Sequence, residues 1–416
     1  MKNKLYYILF LVSLNTFAQD DIKARIEFEE AEKAFMEEKY EETISYLEKT
    51  EALLGKYSPK ISYLKIESLD KITDIYNYED ANTKKLVSEV QKYLNHFKNN
   101  SKDVVVDKYK VVYKIDENLK FAKKNYDNTQ TVEFKKGKEA YDNKDYATAL
   151  EWFTKAADKG NAEAMNKIGS LYYYGEGVDK NHSKAFEWQT KGAEKGSEDA
   201  ILSLIFLYQN GLGVAQSHLN AFNWGIKLAD KGSVKGLVLS GRDYYEGIGT
   251  EKDYEKAFDF FSKAAFKNNT SAKMWLGIYY NEGLGKKQDN DKAFYWFSEA
   301  ANENDAYSMN QIGVFYYKGL GVNLDYQKAI EWFLKAADRG NEASLYNLGN
   351  SYKRGHGVEK NYIKAAEWYE KAISNGYVYA NIVKTLSEIY ETGGYGLKKD
   401  KRKAAELREK YENAKN

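Results

Sequence analysis

From Asn161 to Gly376, apolar and polar positions recur with a period of 36 residues, six times without slippage. Each period opens on a small polar residue: Asn161, Ser197, Ser233, Asn269, Asp305 or Asn341. Side chains of these types accept the orphan N–H groups of a helical first turn, so each marks a helix start. A second series lies 20 residues on, at Asn181, Ser217, Asp253, Asp289, Asp325 and Asn361. Between the two series stand six glycine pairs, from Gly175/Gly177 to Gly355/Gly357, each preceded three residues earlier by tyrosine (Tyr172, Tyr208, Tyr244, Tyr280, Tyr316, Tyr352). Alanine follows ten residues after the first glycine (Ala185 to Ala365), and three further on comes Trp188, Trp224, Phe260, Trp296, Trp332 or Trp368. A 36-residue period holds two helices of about 13 residues and two short connections, which is one helical hairpin.

The ends and faces of these helices follow from the same register. Gly196, Gly232, Gly340 and Gly376 close units with the left-handed conformation that a helix C-terminus favours, and Asn268 and Asn304 substitute for it. Counting the first cap as place 1, place 4 is always small (Ala164, Ala200, Gly236, Ala272, Ser308, Ser344), so neighbouring helices approach closely there. The repeated tryptophans and tyrosines are expected to fill the core between layers. At 100° per residue, places 4, 8 and 12 define the packed face and places 3, 6, 7, 10, 13 and 14 point away.

Upstream the pattern shortens. Gly137, Ala140, Tyr141, Tyr146, Ala149, Leu150 and Phe153 form a shorter hairpin, and Ala31, Ala34, Phe35, Tyr40, Thr43, Ile44 and Leu47 repeat its spacing 106 residues earlier. Residues 60–100 read as two further helices, and "DVVVDKYKVVYKIDENLKFAKK" is placed with them by its neighbours, although its period alone fits helix or strand. The single proline, Pro59, is expected in a connection.

Motifs such as "AMNKIGSLYYYGEGVDKNHSKAFEWQTKGAEKG" and "SLYNLGNSYKRGHGVEKNYIKAAEWYEKAISNG" resemble the Sel1-like repeat family, relatives of the tetratricopeptide repeat with a longer connection between the helices. The resemblance implies an all-α, right-handed α-solenoid of stacked helical hairpins and a scaffold or adaptor role. It divides the chain into a leader (1–18), an N-terminal tetratricopeptide-like helical region (19–130) and a tetratricopeptide-like hairpin (131–160). Six repeats (161–376) and a divergent capping repeat (377–416) complete it.

Lys2 and Lys4 precede the apolar run Leu5–Leu14 and then "NTFAQD", the layout of a removable signal ending at Ala18 in a bacterial chain. The run is too short to span a bilayer, so a periplasmic or secreted protein without a transmembrane anchor is expected. With no cysteine, neither a disulfide framework nor a lipidated cysteine is available. The 63 basic and 62 acidic residues are interleaved, which argues against nucleic acid as a partner.

The sequence carries no catalytic pattern. His96, His182, His218 and His356 are scattered, with no HExxH or cysteine partner, and read as surface or loop histidines. The glycine pairs lack the Gly-Lys-Ser/Thr of a phosphate loop and turn the chain between helices. No cofactor or metal is expected, and the chain reads as non-enzymatic. In hairpin solenoids the first helices line a concave groove where a partner lies across several units. On its outward places this chain puts Phe206, Arg242, Tyr245, Trp275, Tyr307, Tyr317, Tyr346 and Arg354, residue types that anchor interfaces. Trp275 alone of seven tryptophans leaves the repeated place; it either meets a partner or thickens contact within the array. The expected ligand is a protein or peptide. A glycan, including a peptidoglycan fragment, is the alternative because aromatic grooves stack on sugar rings, and inhibition of an envelope enzyme is a further possibility.

Overall fold

The computed structural model describes residues 19–99, 105–377 and 380–413, so the leader expected over 1–18 lies outside the described residues. These residues form 21 helices and no strand, in two compact units that divide between Glu251 and Lys252. The first unit opens with α1 (Gln19–Met36), α2 (Tyr40–Leu54), α3 (Pro59–Ile72), α4 (Ala81–Asn99) and α5 (Val106–Thr129). It continues with α6 (Val132–Asp142), α7 (Tyr146–Asp158), α8 (Ala162–Tyr174), α9 (His182–Lys195), α10 (Glu198–Asn210), α11 (His218–Asp230) and α12 (Val234–Glu246). The second holds α13 (Tyr254–Phe266), α14 (Thr270–Glu282), α15 (Asn290–Asn302), α16 (Ala306–Lys318) and α17 (Tyr326–Asp338). It ends with α18 (Glu342–Arg354), α19 (Tyr362–Ser374), α20 (Ala380–Thr392) and α21 (Lys401–Asn413). Residues 106–124 of the stretch left open between helix and strand are accordingly helical, within α5.

All twelve expected caps accept a first-turn N–H, from Asn161 Oδ1 (2.9 Å from Ala164 N) to Asn361 Oδ1 (3.0 Å from Lys364 N). Pro59 corrects an expectation: it lies in no connection but opens α3, where a missing N–H costs no helical bond. Each unit-closing residue is left-handed, including Asn268 (φ 61°) and Asn304 (φ 70°). Both glycines of every Gly-x-Gly pair are also left-handed. The second glycine has another task, since a Cβ on Gly213 would lie 2.1 Å from the carbonyl oxygen of His182, the first residue of α9. Gly249 stands in the same relation to His218, and Gly357 to Tyr326. The connection of one hairpin is thus seated on the second helix of the hairpin before it.

The core differs from the expected one by one residue on the second helix of each repeat. Trp188, Trp224, Phe260, Trp296, Trp332 and Trp368 are only half-buried. A lysine lies over most of these rings, at 4.4 Å for Lys191 on Trp188 and 4.2 Å for Lys335 on Trp332. The buried side chain is the next residue, Gln189, Phe261, Phe297, Phe333 or Tyr369, as Phe153 is after Trp152; Trp224 alone is followed by a glycine, Gly225. These rings need a glycine opposite, because a Cβ at Gly277, Gly313 or Gly349 would fall within 2.5 Å of the facing ring. On the first helices the packed face comprises places 4, 5, 8, 9 and 11, with the tyrosine of place 12 half-buried. The expected face of places 4, 8 and 12 was too narrow, since a helix packed against two neighbours buries adjacent rows.

The helices before the repeats are built onto them. Phe121 of α5 fills the space beside Gly196, and Asn125 Nδ2 donates to the Gly196 carbonyl at 2.6 Å. Asn161 Nδ2 donates to the Asn128 carbonyl at 2.7 Å, and Tyr76, between α3 and α4, packs into the core beside Ile201 and Leu204. Residues 60–99 and 105–130 therefore form a brace along the closing ends of the first repeats.

Candidate functional site

Within each unit, neighbouring first helices touch: α8 with α10, and α14 with α16. Their outward places form two surfaces, one per unit. In the first unit Phe206 is 46% exposed and meets the edge of Tyr173 at 6.0 Å. Tyr173 in turn abuts Tyr174, which is 65% exposed, and His182. Arg242 and Tyr245 are half-buried on α12.

In the second unit Trp275 stacks flat on the buried ring of Phe261 at 5.2 Å and 7°. It therefore thickens packing inside the array, and it is half-buried there. Tyr307, 37% exposed, rests on Phe297. The other three expected residues enter separate hydrogen bonds that cross from repeat to repeat. Arg354 Nη1 donates to Tyr317 Oη at 3.4 Å, Tyr317 Oη lies 2.8 Å from His356 Nδ1, and Asn381 Nδ2 donates to Tyr346 Oη at 3.3 Å. Asn347 Nδ2 donates to Asn310 Oδ1 at 2.9 Å, and Tyr369 Oη to Asn350 Oδ1 at 2.8 Å. His356 also stacks on Tyr326 at 4.4 Å. Sequence reasoning passed over His356, Asn310, Asn347 and Asn350, although the asparagines fall on outward places 6, 7 and 10. Arg354 is exposed and joins no carboxylate, so its charge remains available.

A second polar cluster lies under the brace. The hydroxyl of the partly buried Tyr76 lies near Asp74, Glu163 and Glu198, and burial pushes its phenol far up. Burial also raises Glu163 to about 7, with Asp199 and Glu198 adding to the shift, Ser197 and Lys167 opposing it. A carboxyl whose folded pKa is raised stabilises most below its ordinary pKa of 4.5, and that contribution is lost as pH climbs to about 7. Glu163→Gln should therefore be the more stable form at mildly alkaline pH, by roughly 3 kcal/mol. In thermal melts, the gap between variant and wild type should open between pH 5 and 7, within the window set by 4.5 and about 7. A pH-independent gap would contradict this account.

Among the described residues no group of three or more side chains could hold a metal, and no helix is long and apolar enough to cross a membrane. Stacked helical hairpins presenting long first-helix faces define the chain as an α-solenoid, a class built around extended surfaces. Eight stretches match the Sel1 repeat, at residues 136–161, 162–197, 201–233, 239–269, 270–305, 306–341, 343–377 and 386–410; the chain belongs to the Sel1 repeat family. It is similar to the crystal structure of c5321, a protective antigen of uropathogenic Escherichia coli strains with an SLR fold, at 30% identity and a TM-score of 0.58. That match covers 65% of this chain and 57% of c5321. A Sel1 repeat protein from Oxalobacter formigenes is 32% identical, with a TM-score of 0.54, over 57% of this chain and 98% of its own. No protein of curated function matches the chain.

Proposed function

We propose that this protein is an exported, non-enzymatic scaffold that holds a polypeptide along its first-helix surfaces. The observation that carries the reading is the cross-repeat set of the second unit, in which Asn347–Asn310, Arg354–Tyr317 and Asn381–Tyr346 hold polar side chains in fixed positions. Preorganised amides, tyrosines and an unpaired arginine suit a chain of backbone amides and carboxylates, because little side-chain entropy remains to be lost on binding. Export rests on Lys2, Lys4, the Leu5–Leu14 run and Ala18.

An envelope extract passed over immobilised protein beginning at Gln19 tests the reading, beside a folded Tyr307→Ala/Tyr346→Ala/Arg354→Ala variant. The wild type should retain a protein that the variant loses, each central anchor being worth on the order of 2 kcal/mol. Retention that ignores the substitutions would sink the assignment. The exposed Tyr174 and Phe206 favour glycan stacking as a second reading. In that case soluble peptidoglycan fragments would elute the bound material and Tyr174→Ala would weaken it.

A further inference from the structure

The connection between α20 and α21 departs from the six Gly-x-Gly connections before it. From Gly393 to Asp400 it holds eight residues, where each of the others holds seven from first glycine to cap, as from Gly355 to Asn361. The extra residue makes a tight hairpin. Gly394 N donates to the Leu397 carbonyl at 2.9 Å and Leu397 N to the Gly394 carbonyl at 3.0 Å, which leaves Tyr395 and Gly396 at the tip. Both tip residues have positive φ, 49° and 88°, as the turns of two-residue hairpins require. Glycine takes that backbone freely, whereas tyrosine takes it against the crowding of its own Cβ. A strained position kept for a bulky residue points to a use for the side chain.

The turn displays an aromatic ring among cations. Tyr395 is 54% exposed, and Ile363 of α19, 42% exposed, adjoins the tip, since a Cβ on Gly396 would meet its Cδ1 at 3.2 Å. The hairpin is fixed from behind: the Tyr395 carbonyl accepts from Tyr362 N at 3.0 Å, and the two rings lie 4.8 Å apart. Lys360 Nζ stands over the Tyr395 ring at 3.9 Å. Across residues 359–364 and 393–403, seven basic side chains meet two acidic ones, Glu359 and Asp400. Arg402 pairs with Glu406 at 3.0 Å and Lys403 with Glu370 at 2.6 Å, while Asp400 caps α21 by accepting from Lys403 N at 2.9 Å. Lys398, Lys399 and Lys401 are exposed and form no ion pair among the described residues, so a cationic excess surrounds the tip.

We propose that this tyrosine-tipped hairpin is a docking surface for a bilayer bearing anionic phospholipids, to which it holds the protein peripherally. Two features fit that partner together. Lysine ammoniums are drawn to a surface of lipid phosphates, and an amphipathic tyrosine beside an aliphatic side chain suits the boundary between headgroups and acyl chains. A soluble polyanion would call for the lysines alone; the exposed apolar tip is what favours a bilayer. Attachment of this kind is shallow and reversible, and salt weakens it. It uses none of the residues of the polypeptide surface proposed above, so either reading can fail without the other.

Co-sedimentation with vesicles tests this, using the chain from Gln19 so that the apolar run Leu5–Leu14 cannot itself enter the lipid. One set of vesicles is phosphatidylcholine alone, the other equal parts of phosphatidylcholine and phosphatidylglycerol. The protein should sediment with the mixed vesicles and stay in solution with the neutral ones. In the variant Lys398→Gln/Lys399→Gln, each lost lysine should weaken partition about fivefold. Tyr395→Gly suits the left-handed backbone better than tyrosine does, so the repeat stays folded. It should nevertheless weaken partition about fivefold, as expected when about 40 Å² of apolar surface no longer leaves water. Loss of binding with the lysines but none with Tyr395→Gly would make the hairpin a polyanion site and overturn the proposal. No binding to the mixed vesicles at millimolar lipid, or equal binding to both sets, overturns it too.

Discussion

Gly213→Ala is expected to cost more than about 3 kcal/mol, enough to melt the first repeats. Two effects combine. At φ 73° a side chain occupies the left-handed region, which alone costs roughly 1–2 kcal/mol. The new Cβ would also lie 2.1 Å from the His182 carbonyl oxygen and 2.3 Å from its carbon. Neither atom can swing aside, because His182 is the first residue of α9. Relief would require the connection to lift from the hairpin before it, opening a layer that buries Leu204, Ala221 and Leu228. Gly340→Ala separates the two effects. Its φ is 84°, but nothing lies within 4 Å of the added carbon, so only the backbone cost of about 1 kcal/mol is expected. Urea denaturation followed by circular dichroism measures both. Equal losses would show that the second glycine has no docking role and merely turns the chain.

The glycine turns and the helix caps were legible because both are local. A first turn needs an acceptor and a left-handed residue needs no Cβ, whatever the rest of the chain does. The repeat register then multiplied each local signal. The choice between Trp332 and Phe333 as core was not local. Adjacent aromatics on one helix differ by 100° in direction, and only the opposing helix decides which is buried. The deciding residue was present in the sequence, since a glycine stands 20 residues before Gln189, Phe297, Phe333 and Tyr369 (Gly169, Gly277, Gly313, Gly349). Only as a facing pair does that spacing acquire meaning.

Surface chemistry was read less well. Arg354, Tyr317 and Tyr346 were found by residue type, and they are indeed brought together with partners from adjacent repeats. Their asparagine and histidine companions were not, because an amide on an outward place resembles any solvated residue until its partner is known. Asn310 and Asn347 lie 37 residues apart, as do Tyr317 and Arg354, one more than the repeat. That offset is the mark of bonds slanting across neighbouring first helices. The brace that includes α5 left no periodic trace, since Phe121 and Asn125 meet Gly196 through the fold alone.

Phe333→Ala should destabilise the second unit far more than Trp332→Ala, although tryptophan is the larger side chain. Phe333 is 1% exposed and lies in the α17 core with Ile330 and Leu348, so truncation leaves a cavity inside a layer. The expected loss is about 3–5 kcal/mol. Trp332 is half-buried under Lys335, and its removal opens the site to water without enclosing a void. The loss there should stay below about 2 kcal/mol, from partial apolar exposure and one cation–π contact. The glycine opposite supplies an internal check. Gly313→Ala should be destabilising in the wild type, where the new Cβ would meet the Phe333 ring at 2.5 Å. In the Phe333→Ala background the same methyl group enters vacated space and should recover part of the loss. A double-mutant cycle should give a coupling of about 1 kcal/mol or more between the two positions. Additive losses would mean that glycine and ring do not form the packing unit of each layer, and that the tryptophans hold the repeats together after all.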